Sequence, residues 1–342
     1  MAAPHPIVIL GPTAGGKSAL AVALAEAVVA PQLDGQRGQI IGADSMQVYR
    51  HMDAGTAKPA VELRSRVPHH LIDIVEPGDR FTVADWLARA GALIDNLRGR
   101  GVRPIVVGGT NLYIQALLQG LFEGPPADVA FRRNLETLDN DTLHTRLQEV
   151  DPAAADRIHV NDRKKTVRAL EVYQVTGRPI SDWQEQWSTK PRPLVAPSDR
   201  HEEGALPATR YRHDPILIGL DWPVEQINRR INARVKAMFF APAGPGESLP
   251  DVVRRLESAG LLGPPSSQAR QALGYKQVLD HLAGRCTLEE AFEQTKILTR
   301  RFAKAQRTWL KRFAGVHWLA VSPWNLDGLA AEALKFVKPV SE

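Results

Sequence analysis

The chain has 342 residues, 44% hydrophobic and 24% charged, which excludes wholesale disorder and leaves room for two domains of ordinary size. Its 26 glycines and 25 prolines follow no repeat, and its single cysteine rules out an internal disulfide framework or a cysteine-built zinc module while fitting a reducing cytoplasm. With 43 basic and 38 acidic residues the net charge is +5, which favours an anionic partner; no apolar run approaches the ~20 residues of a membrane span, and the N-terminus carries no basic leader.

Residues 6–10 (PIVIL) are a short apolar run closed by Gly11-Pro12 and read as a buried strand. Residues 18–30, rich in Ala, Leu and Val, read as a helix, and residues 39–43 as a second strand. An amphipathic helix over 84–97 stops at Gly99 and Gly101, a third buried strand follows at 104–107, and a helix at 111–118. Buried strands alternating with helices imply a parallel sheet with right-handed crossovers. Past residue 121 the strand signals fade: 131–149 and 162–175 read as helices, with a start signal at Asp151-Pro152 between them. Residues 188–214 carry four prolines and little apolar content, as a loose linker does. Residues 215–221 (PILIGLD) read as a strand that rejoins the sheet, 226–240 and 287–313 as helices, and 241–250 as a second Gly/Pro-rich loop.

The strongest chemical signal is Gly11-Pro12-Thr13-Ala14-Gly15-Gly16-Lys17-Ser18, a G-x-x-x-x-G-K-S loop between a strand and a helix. Glycines let backbone N–H groups curl around phosphate oxygens, and the helix N-terminus adds partial positive charge. Lys17 would neutralise phosphate charge and Ser18 would offer its hydroxyl to Mg²⁺. The loop does not say which phosphate ester it holds. ATP or GTP is the default, yet no N-K-x-D motif occurs and the strand at 104–107 ends in Gly108-Gly109-Thr110 rather than an acid. Asp44, after the second strand, is the one candidate in a comparable place. It lies at the sheet edge where ligands of open parallel sheets bind, as a general base, an outer-shell Mg²⁺ ligand or the cap of a following helix. The fold expected is α/β, a P-loop NTPase-like parallel sheet core flanked by helices, built from residues 1–121 and 214–342. An all-helical domain is inserted at 122–213, with its Pro-rich linker at 188–213.

The ordered blocks GPTAGGKS, ADSMQVYRHMDAGTAKP, PHHLIDIVEP and VGGTNLYIQALLQG resemble the tRNA dimethylallyltransferases, also called tRNA isopentenyltransferases. Further matches, DPAAADRIHVNDRKKTVRALEVYQVTGRPIS, RRINARV, ALGYKQ and TRRFAKAQRTWLKRF before HWL, extend the resemblance over residues 6–319. It implies that the loop, Thr13 to Ser18, holds the diphosphate of dimethylallyl diphosphate, bridged by Mg²⁺ through Ser18. The dimethylallyl group would pass to N6 of adenosine 37, beside the anticodon of tRNAs reading UNN codons, within A36-A37-A38. It further implies Asp44 as the catalytic residue with Thr110 and Lys17 beside it, and tRNA contact by Asp44, Ser45, Met46 and Gln47. Thr110, Arg132, Lys164, Lys165, Thr166, Val167 and Arg168 match tRNA-contact positions too, as do Gln271, Ala272, Leu273, Gly274 and Tyr275. A cytoplasmic, monomeric enzyme with no membrane partner is expected. Relatives that act on free AMP or ATP need neither an insertion nor a basic helix.

The chemistry suits these residue types. An exocyclic adenine amine is a poor nucleophile, and a carboxylate within reach of N6–H can orient it and take the proton. Lys17, the loop amides and Arg230 or Arg234 would stabilise the departing diphosphate. In the last long helix Arg300, Lys304, Arg307 and Lys311 fall on one face, opposite an expected packing stripe of Phe302, Trp309 and Phe313. With Arg163, Lys164, Lys165 and Arg168 they suggest a clamp on RNA phosphates. His69-His70, before a strand-like LIDIV, reads as structural, and Trp183 with Trp187 as core of the insertion. Position 15 is Gly where the family usually has Ser.

Overall fold

The computed structural model describes residues 3–30, 36–121, 124–184, 211–240 and 247–337. The chain enters on β1 (Ile7–Leu10), turns through the loop of residues 11–16 and starts α1 (Lys17–Ala27). A two-stranded antiparallel ribbon, β2 (Val29–Ala30) and β3 (Gln36–Arg37), follows; the predicted helix therefore ends three residues early. Next come β4 (Gln39–Gly42), α2 (Val61–Arg66), β5 (His69–His70), α3 (Val83–Gly99), β6 (Pro104–Val107) and α4 (Asn111–Gln119). The two histidines themselves are the strand. LIDIV is irregular, because Leu71 and Asp73 turn left-handed (φ 61° and 55°), which a strand does not allow.

A helical segment follows: α5 (Val129–Leu135), α6 (Asn140–Val150), α7 (Pro152–Ala155), α8 (Arg163–Thr176) and α9 (Ile180–Trp183). The single helix read over 131–149 is two, because Asp139 caps a fresh start by accepting the Thr142 N–H. The chain returns on β7 (Ile216–Asp221) and continues through α10 (Val224–Phe240), α11 (Leu249–Ser258), α12 (Tyr275–Leu282) and α13 (Leu288–Leu310). It ends in β8 (Val316–Ala320) and α14 (Leu326–Leu334). The linker reading at 188–214 falls outside the described residues up to position 210, as do Trp187 and residues 241–246; Leu249 and Pro250 already belong to α11.

Six strands form one parallel sheet in the order β5-β4-β6-β1-β7-β8. Ile7, Val8 and Ile9 are fully buried, as strands covered on both faces must be. Leu20, Ala21, Leu24 and Ala25 of α1 join the same core. Trp86 of α3 donates its indole N–H to the Gly42 carbonyl at 2.7 Å and stacks on Tyr113, tying a helix to the end of β4. Ile9 pairs with both Val107 and Ile218, and Gly42 with Val107, so the C-terminal ends of β1, β4 and β6 lie side by side. The loops that leave them, at residues 11, 43 and 108, meet where the strand order reverses.

Two compact units divide the chain, Met1–Leu118 with Tyr211–Glu342, and Gln119–Arg210. The second has its own core of Leu135, Leu143, Leu147, Ala169 and Val172. Among the described residues no helix is long and apolar enough to cross a membrane.

Candidate functional site

The loop after β1 is shaped for an anion. Gly11, Ala14 and Gly16 have φ of 150°, 59° and 83°; the Gly15 N–H closes the turn onto the Pro12 carbonyl at 3.1 Å. Across the crevice Gly108 is obligatory, since a Cβ there would lie 2.0 Å from the Ala43 oxygen. That close approach sets the turn carrying Asp44 against the loop that leaves β6.

Lys17 is buried and donates its Nζ to the Pro12 carbonyl at 2.8 Å. Burial pulls its ammonium down from 10.5 to about 8, with Asp44 opposing the shift and Arg234 adding to it. Asp44 accepts the Met46 N–H at 2.9 Å through Oδ1; residues 45–48 are a turn, so the carboxylate closes that turn and does not cap a helix. The Thr110 hydroxyl accepts the Ser45 N–H at 2.8 Å and donates to the Ser45 hydroxyl at 3.1 Å, fixing the turn. Gln47 spends its amide on the carbonyls of Thr56 and Ala57.

Two cavities adjoin here. The first, about 460 Å³, is lined by residues 13–18, Asp44, Gln47, His69, Arg230 and Arg234. The second, about 360 Å³, is lined by Asp44, Ser45, Met46, Thr110, Met238, Gln271, Ala272, Leu273 and Leu298. They share Thr13, Asp44, Thr56, Gly109, Arg234 and Phe302, which puts Asp44 at the junction. The first is cationic, with Asp44 the one carboxylate among its described lining residues. Gly11 and Pro12 lie off this cavity and line another beneath the loop.

The predicted residues divide accordingly. Gln271, Ala272 and Leu273 line the second cavity, whereas Gly274 opens α12 with φ 92° and Tyr275 is buried with its hydroxyl on the Ala54 carbonyl. In the helical unit Lys164 and Lys165 are exposed, Lys165 paired to Asp162. Thr166 is buried, Val167 packs on the unit's core, and Arg168 reaches Glu171 and the Pro125 carbonyl. Arg132 lays a two-pronged grip on the fully buried Glu171, at 2.7 and 2.8 Å. Trp183 packs against the same core, under the Arg178 guanidinium.

Phe302 corrects the expected packing stripe. It is 41% exposed and lines both cavities, while Ala303, Gln306 and Leu310 form the buried face of α13. Gln306 escaped sequence reasoning. A glutamine between Ala303 and Leu310 on an apolar stripe is the signal that finds it. The Arg234 guanidinium reaches the Thr13 hydroxyl at 3.3 Å, and Arg230 Nε donates to the Ala14 carbonyl at 2.9 Å. Among the described residues no cluster of three His, Cys, Asp or Glu side chains could cage a metal ion. A divalent cation here would rest on the exposed Ser18 hydroxyl, Asp44 and a ligand's own phosphate oxygens, which suits the oxygen-rich preference of Mg²⁺.

A family model described as IPP transferase matches residues 47–313. A tRNA dimethylallyltransferase of Geobacter sulfurreducens is 43% identical over 334 residues, 96% of each chain. A tRNA dimethylallyltransferase 2 of Geotalea uraniireducens is 44% identical over 317 residues, 92% of this chain and 91% of that one. The crystal structure of a tRNA isopentenylpyrophosphate transferase from Staphylococcus epidermidis superposes with TM-score 0.63 at 34% identity, covering 97% of this chain and 98% of that one. A eukaryotic dimethylallyltransferase acting on tRNA gives TM-score 0.72 at 26% identity, over 96% of this chain and 76% of that one.

Proposed function

The chain belongs to the IPP transferase family, and from that premise we propose that it transfers a dimethylallyl group from dimethylallyl diphosphate to tRNA. The acceptor is N6 of adenosine 37, within A36-A37-A38 of tRNAs reading UNN codons. The observation that carries this reading is the pair of adjoining cavities with Asp44 at their junction. One is cationic and faced by a phosphate loop; the other, about 360 Å³, has Val235, Met238, Leu249, Leu273 and Leu298 in its wall.

The diphosphate sits on the loop of residues 13–18, with Lys17, Arg230 and Arg234 around it. The adenine leaves its stack and enters the second cavity between Met238, Leu273 and Leu298. The C1–O bond of the donor breaks and the C1–N6 bond forms. Asp44 holds N6–H and takes its proton, while the diphosphate leaves with the electron pair. Positive charge around the loop stabilises the leaving group as its charge grows. Phe302 covers the junction and keeps water from the allylic carbon. Ser18 would hold Mg²⁺, which when bound neutralises further charge on the diphosphate. Each unit has its own exposed basic side chains for tRNA phosphates: Lys164 in the helical unit and, in the other, Lys304 on α13 with Lys311 just past its end, while Arg300, which the spacing puts on that face, bonds the Asn232 side chain.

The test is a paired label-transfer assay on unmodified tRNA bearing A36-A37-A38. Label from dimethylallyl diphosphate appearing at A37 supports the proposal. No allyl transfer, with γ-phosphate moving from ATP to a small acceptor instead, would overturn it.

A further inference from the structure

Beside the phosphate loop lies an aromatic assembly that the reaction as described does not use. Trp222, at the end of β7, and Trp324, in the turn before α14, stack with ring centroids 5.8 Å apart and planes 14° apart. The Arg230 guanidinium lies 4.8 Å from the centroid of one ring and 5.1 Å from that of the other. Two successive loop carbonyls are tied to this assembly: Ala14 O accepts from Arg230 Nε at 2.9 Å and Gly15 O from Trp222 Nε1 at 3.0 Å. The Trp324 ring also rests on the loop, since a Cβ at Gly16 would come within 2.1 Å of it.

We propose that Trp222 is a positioning residue that aims the Gly16 N–H at the diphosphate, acting through the Gly15–Gly16 peptide. The inference rests on the diphosphate reading above. A trans peptide points its C=O and the following N–H in opposite directions, so holding the Gly15 oxygen on Trp222 orients the Gly16 N–H the other way. Gly16 lines the first cavity, and its N–H makes no hydrogen bond among the described residues. Trp324 and Arg230 keep the Trp222 indole in place by stacking and cation–π attraction. The arrangement gives Gly15 its reason as well: a Cβ there would lie 2.8 Å from the Pro12 oxygen and 3.2 Å from Trp222 Nε1. A side chain at 15 would push against the indole that does the aiming.

The test is calorimetric binding of inorganic pyrophosphate with Mg²⁺ to the full-length enzyme, alongside steady-state kinetics with the prenyl diphosphate. Trp222→Phe keeps an aromatic ring on the Trp324 stack and removes the N–H together with the rest of the five-membered ring. The expected result is pyrophosphate affinity weakened roughly fivefold to tenfold, as for one lost hydrogen bond. KM for the prenyl donor should rise by the same factor, with kcat within about twofold; the buried Gly15 carbonyl left unpaired should also lower the melting temperature. Trp324→Leu, on a half-buried ring, should shift affinity in the same direction, and it decides the matter if the Phe variant does not fold. Wild-type affinity in a folded Trp222→Phe or Trp324→Leu variant would overturn the positioning role alone. A wild-type enzyme that does not bind pyrophosphate would overturn the diphosphate reading, and this role with it.

Discussion

Gln306 joins the phosphate loop to the far side of the crevice: its Oε1 accepts the Thr13 N–H at 2.8 Å while its Nε2 donates to the Gly109 carbonyl at 2.6 Å. Both halves of one fully buried amide are used, and the two loops it spans carry the phosphate site and the wall beside Asp44. Gln306→Leu fits the apolar face of α13 but leaves a buried donor and a buried acceptor unpaired. A loss of about 1–3 kcal/mol is expected in urea unfolding, with weaker pyrophosphate binding. Gln306→Glu keeps the acceptor for Thr13 and sets a carboxylate beside the anion site, so its affinity should fall further than that of the Leu variant. Wild-type affinity and stability in both variants would show that the bridge does not matter.

Asp44→Asn separates two roles that share one side chain. The amide oxygen of Asn still accepts the Met46 N–H, so the turn is kept. The proton acceptor for N6–H is lost, and transfer to tRNA should drop by about 10²–10⁴ in kcat. Pyrophosphate affinity should not fall, since the substitution removes a negative charge from a cationic cavity. Undiminished transfer in the label assay would leave Asp44 with the turn it closes as its only role.

What could be read from the residues and what could not follows sequence separation. The phosphate loop is legible because its glycines, lysine and serine are fixed by eight consecutive positions, and the buried strands around it by their apolar runs. Gln306 and Trp222 reach loop atoms 293 and 207 residues away, so a local pattern can mark the glutamine as odd on its stripe but cannot name either residue's partner. LIDIV reads like a strand through its β-branched apolar residues, yet Asp73 in its middle is drawn out of line by Lys58 and Arg64, which grip its carboxylate from two sides. The strand Val316–Ala320 runs along the sheet edge with one of its five residues buried, too weak a pattern to stand out. Arg132 and Lys164 look alike as basic positions, and only the fold shows that one is spent on Glu171 while the other is exposed.

Lys17 predicts a pH dependence with a definite sign. Its ammonium titrates near 8 in the native protein and near 10.5 when unfolded. Between those values the unfolded chain binds more protons, so this group makes the ligand-free protein more stable as pH rises through that window. Anion binding runs the other way. Above pH 8 the empty site loses its ammonium, and pyrophosphate affinity should fall by up to tenfold per unit, with proton uptake on binding. Calorimetry at several pH values in buffers of different ionisation enthalpy reads both effects. Lys17→Arg, always charged, should show no break near 8 in whatever affinity it retains. A wild-type profile without that break would mean that Lys17 does not titrate there.

Glu171 organises the helical unit, and its removal tests what the flanking arginines are free to do. Burial opposes its charge, but hydrogen bonds from Arg132, Arg168 and the Asp128 N–H outweigh it and hold the carboxyl below its ordinary value. A carboxylate so depressed contributes stability above its ordinary value of 4.5 and loses it as pH falls through the lower native value. Glu171→Gln keeps the volume, removes the charge and leaves two guanidiniums without their counter-ion. Breaking a buried pair in this way costs about 3–5 kcal/mol at full burial; with both arginines partly exposed, about 2 kcal/mol is the expected loss. The melt should show it as an earlier transition of the helical unit, with pyrophosphate binding unchanged because the phosphate loop belongs to the other unit. If tRNA affinity instead rises while the melt is unaltered, Arg132 is a contact residue held in reserve by Glu171 rather than a strut of the fold.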